Sequence, residues 1–252
     1  MKICFGIVTD GQNDVGLSRV IQTILDSSIP DKEIIVVGNS SLVKNGVTFL
    51  DFDESIKPGW ITRKKNLIAM YATGDILVLL HDYIELDFGW NESLLKRFMM
   101  NDWEVAVCPI SNLDGSRYRD WLIWPHNGIF LDRFFLKTRR CLLPYSCNWI
   151  TNLMYVSGAF LICKRDFFLA NPLDESLVWG EGEDAEWSIR VRNRWRLRCF
   201  HDCGVRLQKQ KDVLFKEANL IVMAVLYLYS MFTKIRIGSN IMKHNFKSSQ
   251  FS

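Results

Sequence analysis

The N-terminal third of the chain alternates two apolar patterns, and that alternation leaves few architectures open. Ile3–Val8, Glu33–Gly38 and Ile76–Leu80 are short runs dominated by apolar side chains, as expected of strands buried on both faces of a sheet. Between them Gly16–Asp26 places Leu17, Val20, Ile21, Ile24 and Leu25 at helical spacing before the break at Pro30-Asp31. Val47–Phe52 reads as a further strand, and Arg63–Tyr71 as a second helix stopped at Ala72-Thr73-Gly74-Asp75. Strand and helix in turn, with short links, predict an α/β fold. Its sheet should be open, Rossmann-like and mostly parallel, with helices on both faces. Such sheets bind ligands at the carboxyl ends of their strands. Thr9-Asp10, Gly38-Asn39 and His81-Asp82 occupy those ends, so one polar rim is expected there.

The remainder is less periodic. Trp103–Pro109, Tyr155–Lys164 and Arg198–Leu207 read as later strands. Residues 112–152 read as a long irregular insertion, which in a compact domain is more often a binding loop than a spacer. Its Trp121, Trp124 and Trp149 either stack on a ligand or fill the core. Residues 179–187, Trp-Gly-Glu-Gly-Glu-Asp-Ala-Glu-Trp, gather Glu181, Glu183, Asp184 and Glu186 ahead of a helix at Trp187–Arg192. A helix dipole favours negative charge at that end, and a carboxylate crowded by others is raised towards the range of a working base. The same cluster also reads as a solvated acidic helix start. A net charge of +3, spread along the chain, is too small to suggest a nucleic-acid partner, and none is expected. Seven cysteines without framework spacing point to a reducing, cytoplasmic setting. Cys199-Phe200-His201-Asp202-Cys203 lacks the second pair that a zinc knuckle needs, and the first apolar run is too short for a signal peptide.

The order of these pieces, over roughly residues 3–208, resembles the family 2-like glycosyltransferases of the GT-A fold. Glu33-Ile34-Ile35-Val36-Val37-Gly38-Asn39-Ser40-Ser41 is similar to that family's Glu-Ile-Ile-Val-Val-Asp-Asp-Gly-Ser segment, with Asn39 near the aspartate that receives nucleobase and ribose. Lys64-Lys65-Asn66 with Ala72-Thr73-Gly74-Asp75 is similar to the family's Arg-Asn and Ala-x-Gly-Asp spacing. His81-Asp82-Tyr83 stands in the place of the Asp-x-Asp metal motif, with Tyr83 where a second acid is often found. Ser157-Gly158-Ala159 resembles the acceptor-side glycine segment, and Asp174-Glu175-Ser176 and Glu183-Asp184 resemble the family's Asp-Glu and Glu-Asp pairs. A histidine commonly closes the family's metal site on the late strand. The matching position falls near Leu207-Gln208, and His201 lies earlier.

The resemblance implies transfer of a sugar from a nucleotide-diphosphate donor to a hydroxyl of a glycan or lipid-linked acceptor, with inversion, in surface polysaccharide or lipopolysaccharide synthesis. Asp184 is then the base, with Glu183 the next candidate. Thr9, Asp10, Asn39, Lys64, Lys65, Asn66, His81 and Asp82 line the donor side. Gly158, Trp179, Glu181 and Gly182 line the acceptor side. The departing diphosphate is neutralised either by Mg²⁺ or Mn²⁺ on Asp82, with His201 as a further candidate ligand, or by Lys64, Lys65 and other basic side chains. A different class stays open: an inactive sugar-nucleotide or glycan-binding module. Residues 1–212 form the catalytic domain in this reading, and 213–252 an appendage. There Asn219–Phe232 is apolar all round yet too short to span a bilayer. Lys234, Arg236, Lys243 and Lys247 follow with no acidic residue. This suits a contact with the inner face of an anionic membrane, or a helix packed on the domain or on a second subunit as a homo-oligomer.

Overall fold

The computed structural model describes residues 1–123, 141–228 and 231. Its first half follows the expected order: β1 (Ile3–Val8), α1 (Asp14–Asp26), β2 (Lys32–Val37), β3 (Val47–Leu50), α2 (Ile61–Tyr71) and β4 (Ile76–His81). Then come β5 (Ile84–Leu86), α3 (Glu92–Met99), β6 (Val105–Val107), β7 (Ile110–Ser111), β8 (Leu122–Ile123), β9 (Cys141–Leu142) and β10 (Met154–Tyr155). The described elements end with β11 (Phe160–Lys164), α4 (Arg165–Ala170), α5 (Glu183–Val191), β12 (Leu197–Cys199) and β13 (Val205–Leu207).

Seven strands pair in the order β12-β6-β11-β4-β1-β2-β3. Within this sheet β11 alone runs against its neighbours β4 and β6; the other pairings are parallel. The central strands β1 and β4 are buried at every position, which is why their sequences show no polar alternation. Ile3, Phe5 and Ile7 pack with Leu17, Val20 and Ile21 of α1 and Phe98 of α3. Cys4 and Val8 point the other way, into a cluster with Ile68 and Ala69 of α2 and Trp187 of α5. Helices therefore cover both faces. Gly6 lies where α2 crosses the sheet, and a Cβ there would meet Ile68 Cγ2 at 2.3 Å.

Three expectations change. Tyr155–Lys164 is two strands, because residues 156–159 leave the ladder to meet α5: Val156 N donates to Ser188 Oγ at 3.1 Å. Arg198–Leu207 also divides, at the turn through His201 and Asp202, and β13 joins a second sheet with order β5-β13-β7. The described part of 112–152 is not structureless, since β8 and β9 form a third sheet with β10. Its anchor is Asp120, 1% exposed, which accepts from Arg117 Nη2 at 2.7 Å, Trp121 N at 2.6 Å and Tyr145 OH at 2.6 Å. Trp121 is fully buried core, with Nε1 on Cys147 O at 2.8 Å, and Trp149 packs edge-on to Tyr227 at 4.9 Å. Trp124 lies outside the described residues.

The described part of the appendage buries one side of its apolar surface and exposes the other. Residues 220–228 are helical, with Asn219 Oδ1 accepting from Val222 N at 2.9 Å as the cap. Val222, Met223 and Leu226 pack into the core, whereas Leu220, Ile221 and Leu228 are exposed. Among the described residues no helix is long and apolar enough to cross a membrane; the basic tail lies outside them.

Replacing Asp120 with Ala strands the buried partners of its carboxylate. The expected loss is about 3–5 kcal/mol of stability, read by urea denaturation; a change below about 1 kcal/mol would remove Asp120 as the anchor of the third sheet.

Candidate functional site

The rim follows from strand register. Val8 of β1 lies opposite His81 of β4, so the next residues, Thr9 and Asp82, emerge together at the carboxyl ends. Thr9 Oγ1 donates to Asp82 Oδ2 at 2.6 Å, and Asp82 N donates to Val8 O at 3.2 Å. Burial pushes the Asp82 carboxyl up and Asp10 adds to this, while the Thr9 hydrogen bond and the Lys209 and Lys64 ammonium groups oppose it. Asp10 and Asn39 are exposed at adjacent strand ends. Gly11 brings these two loops together at φ +81, where a Cβ would fall 1.7 Å from Asn39 O.

Lys64 and Lys65 enter from α2 but do not stand free to meet a diphosphate. Lys64 Nζ donates to Thr9 O at 2.7 Å and contacts the Glu54 carboxylate. Burial lowers it to about 8, against the pull of Asp10 and Asp82. Lys65 is 3% exposed and donates to Gly158 O at 2.5 Å. Burial lowers it as well, and Glu183 and Asp184 hold it up. It thus belongs to the acidic side of the site rather than to the donor side.

That acidic side is built on the start of α5. Gly182, at φ +80 in the left-handed region, caps the helix, and its carbonyl accepts from Glu186 N at 2.9 Å. Asp184 Oδ2 accepts from Gly158 N at 2.8 Å and from the Tyr155 hydroxyl; Oδ1 accepts from Ala185 N at 2.8 Å. Glu183 is 6% exposed, and burial followed by Asp184 pushes its carboxyl up, with Lys65 opposing. Gly158 makes the approach feasible: a Cβ there would lie 3.0 Å from Asp184 Oδ2 and 3.2 Å from Glu183 Oε1. His81 closes the floor, with its backbone N on Ala159 O at 3.3 Å. Burial, then the Lys65, Lys211 and Lys64 charges, hold its imidazole well below the usual range, so it is neutral.

A cleft of about 290 Å³ brings His81, Tyr83, Arg119, Gly158, Glu183 and Asp184 to one surface. Trp179 stands at its edge, 67% exposed, tied by its backbone N to Gly59 O at 2.8 Å. Two expected site residues have structural work, and a third stands apart from the cleft. Asn66 clamps the segment before α5, donating to Leu173 O at 3.0 Å and Glu175 Oε1 at 2.9 Å while accepting from Leu173 N. Glu181 Oε2 accepts from Val178 N at 2.9 Å, closing its own turn. His201 is exposed on the β12–β13 turn. Because β13 runs antiparallel to β5, with Leu207 opposite Ile84 and Val205 opposite Leu86, the chain before Val205 leads away from Asp82. Tyr155, Arg119, Lys209 and Lys211 had no sequence expectation. The spacing of the two lysines, two apart beyond a strand, was the one available signal.

The described residues supply few protein ligands for a divalent cation. Mg²⁺ and Mn²⁺ want several hard oxygen ligands. Asp82 offers one buried carboxylate already bonded to Thr9, and burial keeps the Tyr83 phenol protonated by pushing it up. Gln208 sits beside Tyr83 through its backbone, N on Tyr83 O at 2.9 Å, but its side-chain Nε2 donates to Gly16 O at 2.8 Å. Among the described residues no three His, Cys, Asp or Glu side chains are grouped to hold an ion.

No protein-family model matches the chain. It is 28% identical over 214 residues to mouse polypeptide N-acetylgalactosaminyltransferase 4, covering 76% of this chain and 35% of that relative. With Drosophila melanogaster N-acetylgalactosaminyltransferase 6 it shares 27% over 195 residues, 69% of this chain and 29% of the relative. The chain thus spans about a third of the length of these curated relatives. Among solved structures, GalNAc-T7 with UDP, GalNAc and Mn²⁺ superposes with a TM-score of 0.59 at 15% identity, over 83% of this chain and 45% of that one. Residues 1–349 of Staphylococcus aureus TarS give 0.56 at 13% identity, over 82% and 60%. A Pyrobaculum calidifontis mannosyltransferase with GDP-Man and Mn²⁺ gives 0.52 at 13% identity, over 84% and 58%. The fold is the GT-A fold of these glycosyltransferases, as the strand order anticipates.

The neutral His81 has a consequence for acid stability. In the unfolded chain a histidine takes up its proton near pH 6.5, whereas in the fold it does not. The unfolded state therefore binds more protons below about pH 6.5, and stability falls on acidification by up to about 1.4 kcal/mol per pH unit. Urea denaturation at about pH 7 and about pH 5 should show a smaller loss for His81→Asn than for the parent, and an unchanged loss would mean that His81 is charged in the fold.

Proposed function

We propose that this chain is a glycosyltransferase, moving a sugar from a nucleotide-diphosphate donor to a hydroxyl of a glycan or lipid-linked acceptor. The observation that carries this reading is the meeting, in one cleft, of the β4 strand end with the acidic start of α5 across Gly158. The GT-A fold and the N-acetylgalactosaminyltransferase relatives support the sugar transfer, while the acceptor class rests on other grounds. In the donor pose the nucleoside lies over Asp10 and Asn39, both exposed at the rim, with the sugar between His81 and Asp184.

Transfer by this route has an oxocarbenium-like transition state, as in glycoside hydrolysis. A carboxylate must take the acceptor proton from within hydrogen-bond reach. Asp184 is the candidate because it lines the cleft, whereas Glu183 is more deeply buried and paired electrostatically with Lys65. The three donors on Asp184 fix its direction. A single base opposite the donor favours inversion. The acceptor class is read from the appendage: its exposed Leu220, Ile221 and Leu228 suit peripheral contact with the cytoplasmic face of a membrane, where lipid-linked glycans for surface polysaccharide are presented. The competing reading, a sugar-nucleotide-binding module without turnover, draws on Tyr83 in the place of an acid.

Asp184→Asn keeps the size of the side chain and an acceptor for Gly158 N. It should lower transfer about 10²–10⁴-fold while nucleotide-sugar binding, followed by tryptophan fluorescence across a donor panel, stays close to the parent. Transfer at near parental rate would exclude Asp184 as base. Proton NMR of the product anomer reads inversion directly, and a parent that binds donors without releasing nucleotide supports the binding-module reading.

A further inference from the structure

Arg119 stands at φ +37, in the left-handed region where a large side chain is uncommon. Among the described residues its Nε is shielded from solvent and donates to no acceptor, a state that proteins avoid unless the group serves something else. Two rings hold the guanidinium in place, Tyr118 at 5.6 Å and Phe215 at 5.5 Å. Beside it, Lys209 and Lys211 bring their ammonium groups to 4.9 and 5.0 Å from the centre of the Tyr83 ring. Among the described residues none of these three cations is within ion-pair distance of a carboxylate.

Lys211 is lowered by burial and then by Lys209 and Arg119, so like charges are held together against their repulsion. Such a cluster is unfavourable empty and favourable around an anion. Arg119, Lys211 and Tyr83 line the same cleft as Asp184, on the side of the β4 end. The chain places its cations around Tyr83, where the second acid of the motif is missing. We propose that Arg119, Lys209 and Lys211, gathered around Tyr83, bind the donor diphosphate and neutralise it as it leaves, in place of a divalent cation. This rests on the glycosyl-transfer reading. In that step the acceptor oxygen bonds to the anomeric carbon, and the bond from that carbon to the diphosphate oxygen breaks. Its electron pair goes to the diphosphate beside the three cations, and the hydroxyl proton goes to the Asp184 carboxylate.

The test is calorimetric titration with inorganic pyrophosphate and with UDP, in EDTA and then in Mn²⁺. Pyrophosphate should bind in EDTA, weaken steeply with salt, and lose about tenfold or more in affinity in Arg119→Ala and in Lys211→Ala. Arg119→Lys, which keeps the charge without the fork, should recover part of the loss. Arg119 makes no hydrogen bond through Nε and Lys211 is at the surface of the cleft, so thermal melts of both variants should match the parent; a variant that melts early is replaced by Lys209→Ala. Pyrophosphate binding that appears only with Mn²⁺, or binding in EDTA indifferent to all three residues, overturns the proposal. Donor turnover, measured in parallel by nucleotide release, separates the two readings. Metal-free binding through these cations without turnover of any donor removes the transferase reading and leaves the anion site. Turnover that EDTA abolishes does the reverse.

Discussion

The parallel pairing of β1 with β4 governs the rest of the structure. Six consecutive residue pairs, from Ile3 with Ile76 to Val8 with His81, lie in register between helical layers. Both strands are buried throughout, and the one polar side chain they carry, His81, stands at the last position of β4. Chemistry is displaced to the first residues beyond the strands, and these arrive in pairs. Thr9 meets Asp82 because Val8 meets His81. The hydrogen bond between them at 2.6 Å is a consequence of register rather than an independent device.

A second constraint is the distance between the acidic helix and the sheet. Carboxylates at a helix start are stabilised by the dipole and by free backbone N–H groups, but here Glu183 and Asp184 also face the turn before β11. They approach it because residue 158 has no side chain. The resulting pair would be unfavourable without a cation, and Lys65 supplies one from beneath, through the carbonyl of the same glycine. One backbone unit thus receives a carboxylate on its N–H and an ammonium on its C=O. A side chain outside the cleft sets the charge inside it.

Much of this was legible in the sequence, for reasons that differ by element. Continuous apolar runs of strand length identify β1, β4 and the buried part of β2. The acidic segment at 179–187 was visible because charge near a helix start is a local signal. Its internal division was less so: Glu181 closes a turn, whereas Glu183 and Asp184 face the cleft, and this depends on the left-handed Gly182. Lys64, Lys65 and Asn66 were legible as a group, but which of them faces the rim depends on the docking angle of α2. Asn66 points to Leu173 and Glu175, far along the chain. Arg119 had no local signal at all, since its unused Nε is defined by what does not surround it. Asp120 shows the same limit, because its partners Arg117 and Tyr145 are joined only when the third sheet closes.

The capped helix at 220–228 has a consequence for orientation. Its buried side is fixed by Val222, Met223 and Leu226, and the strand-like segment before it is stitched to β9, with Ala218 N on Leu142 O at 2.8 Å and Leu142 N on Lys216 O at 3.0 Å. Leu214, a short step earlier, lines the cleft. The helix therefore cannot roll about its own axis without dragging a wall of the cleft with it. The exposed Leu220, Ile221 and Leu228 are thereby held at one set angle to the mouth of the cleft.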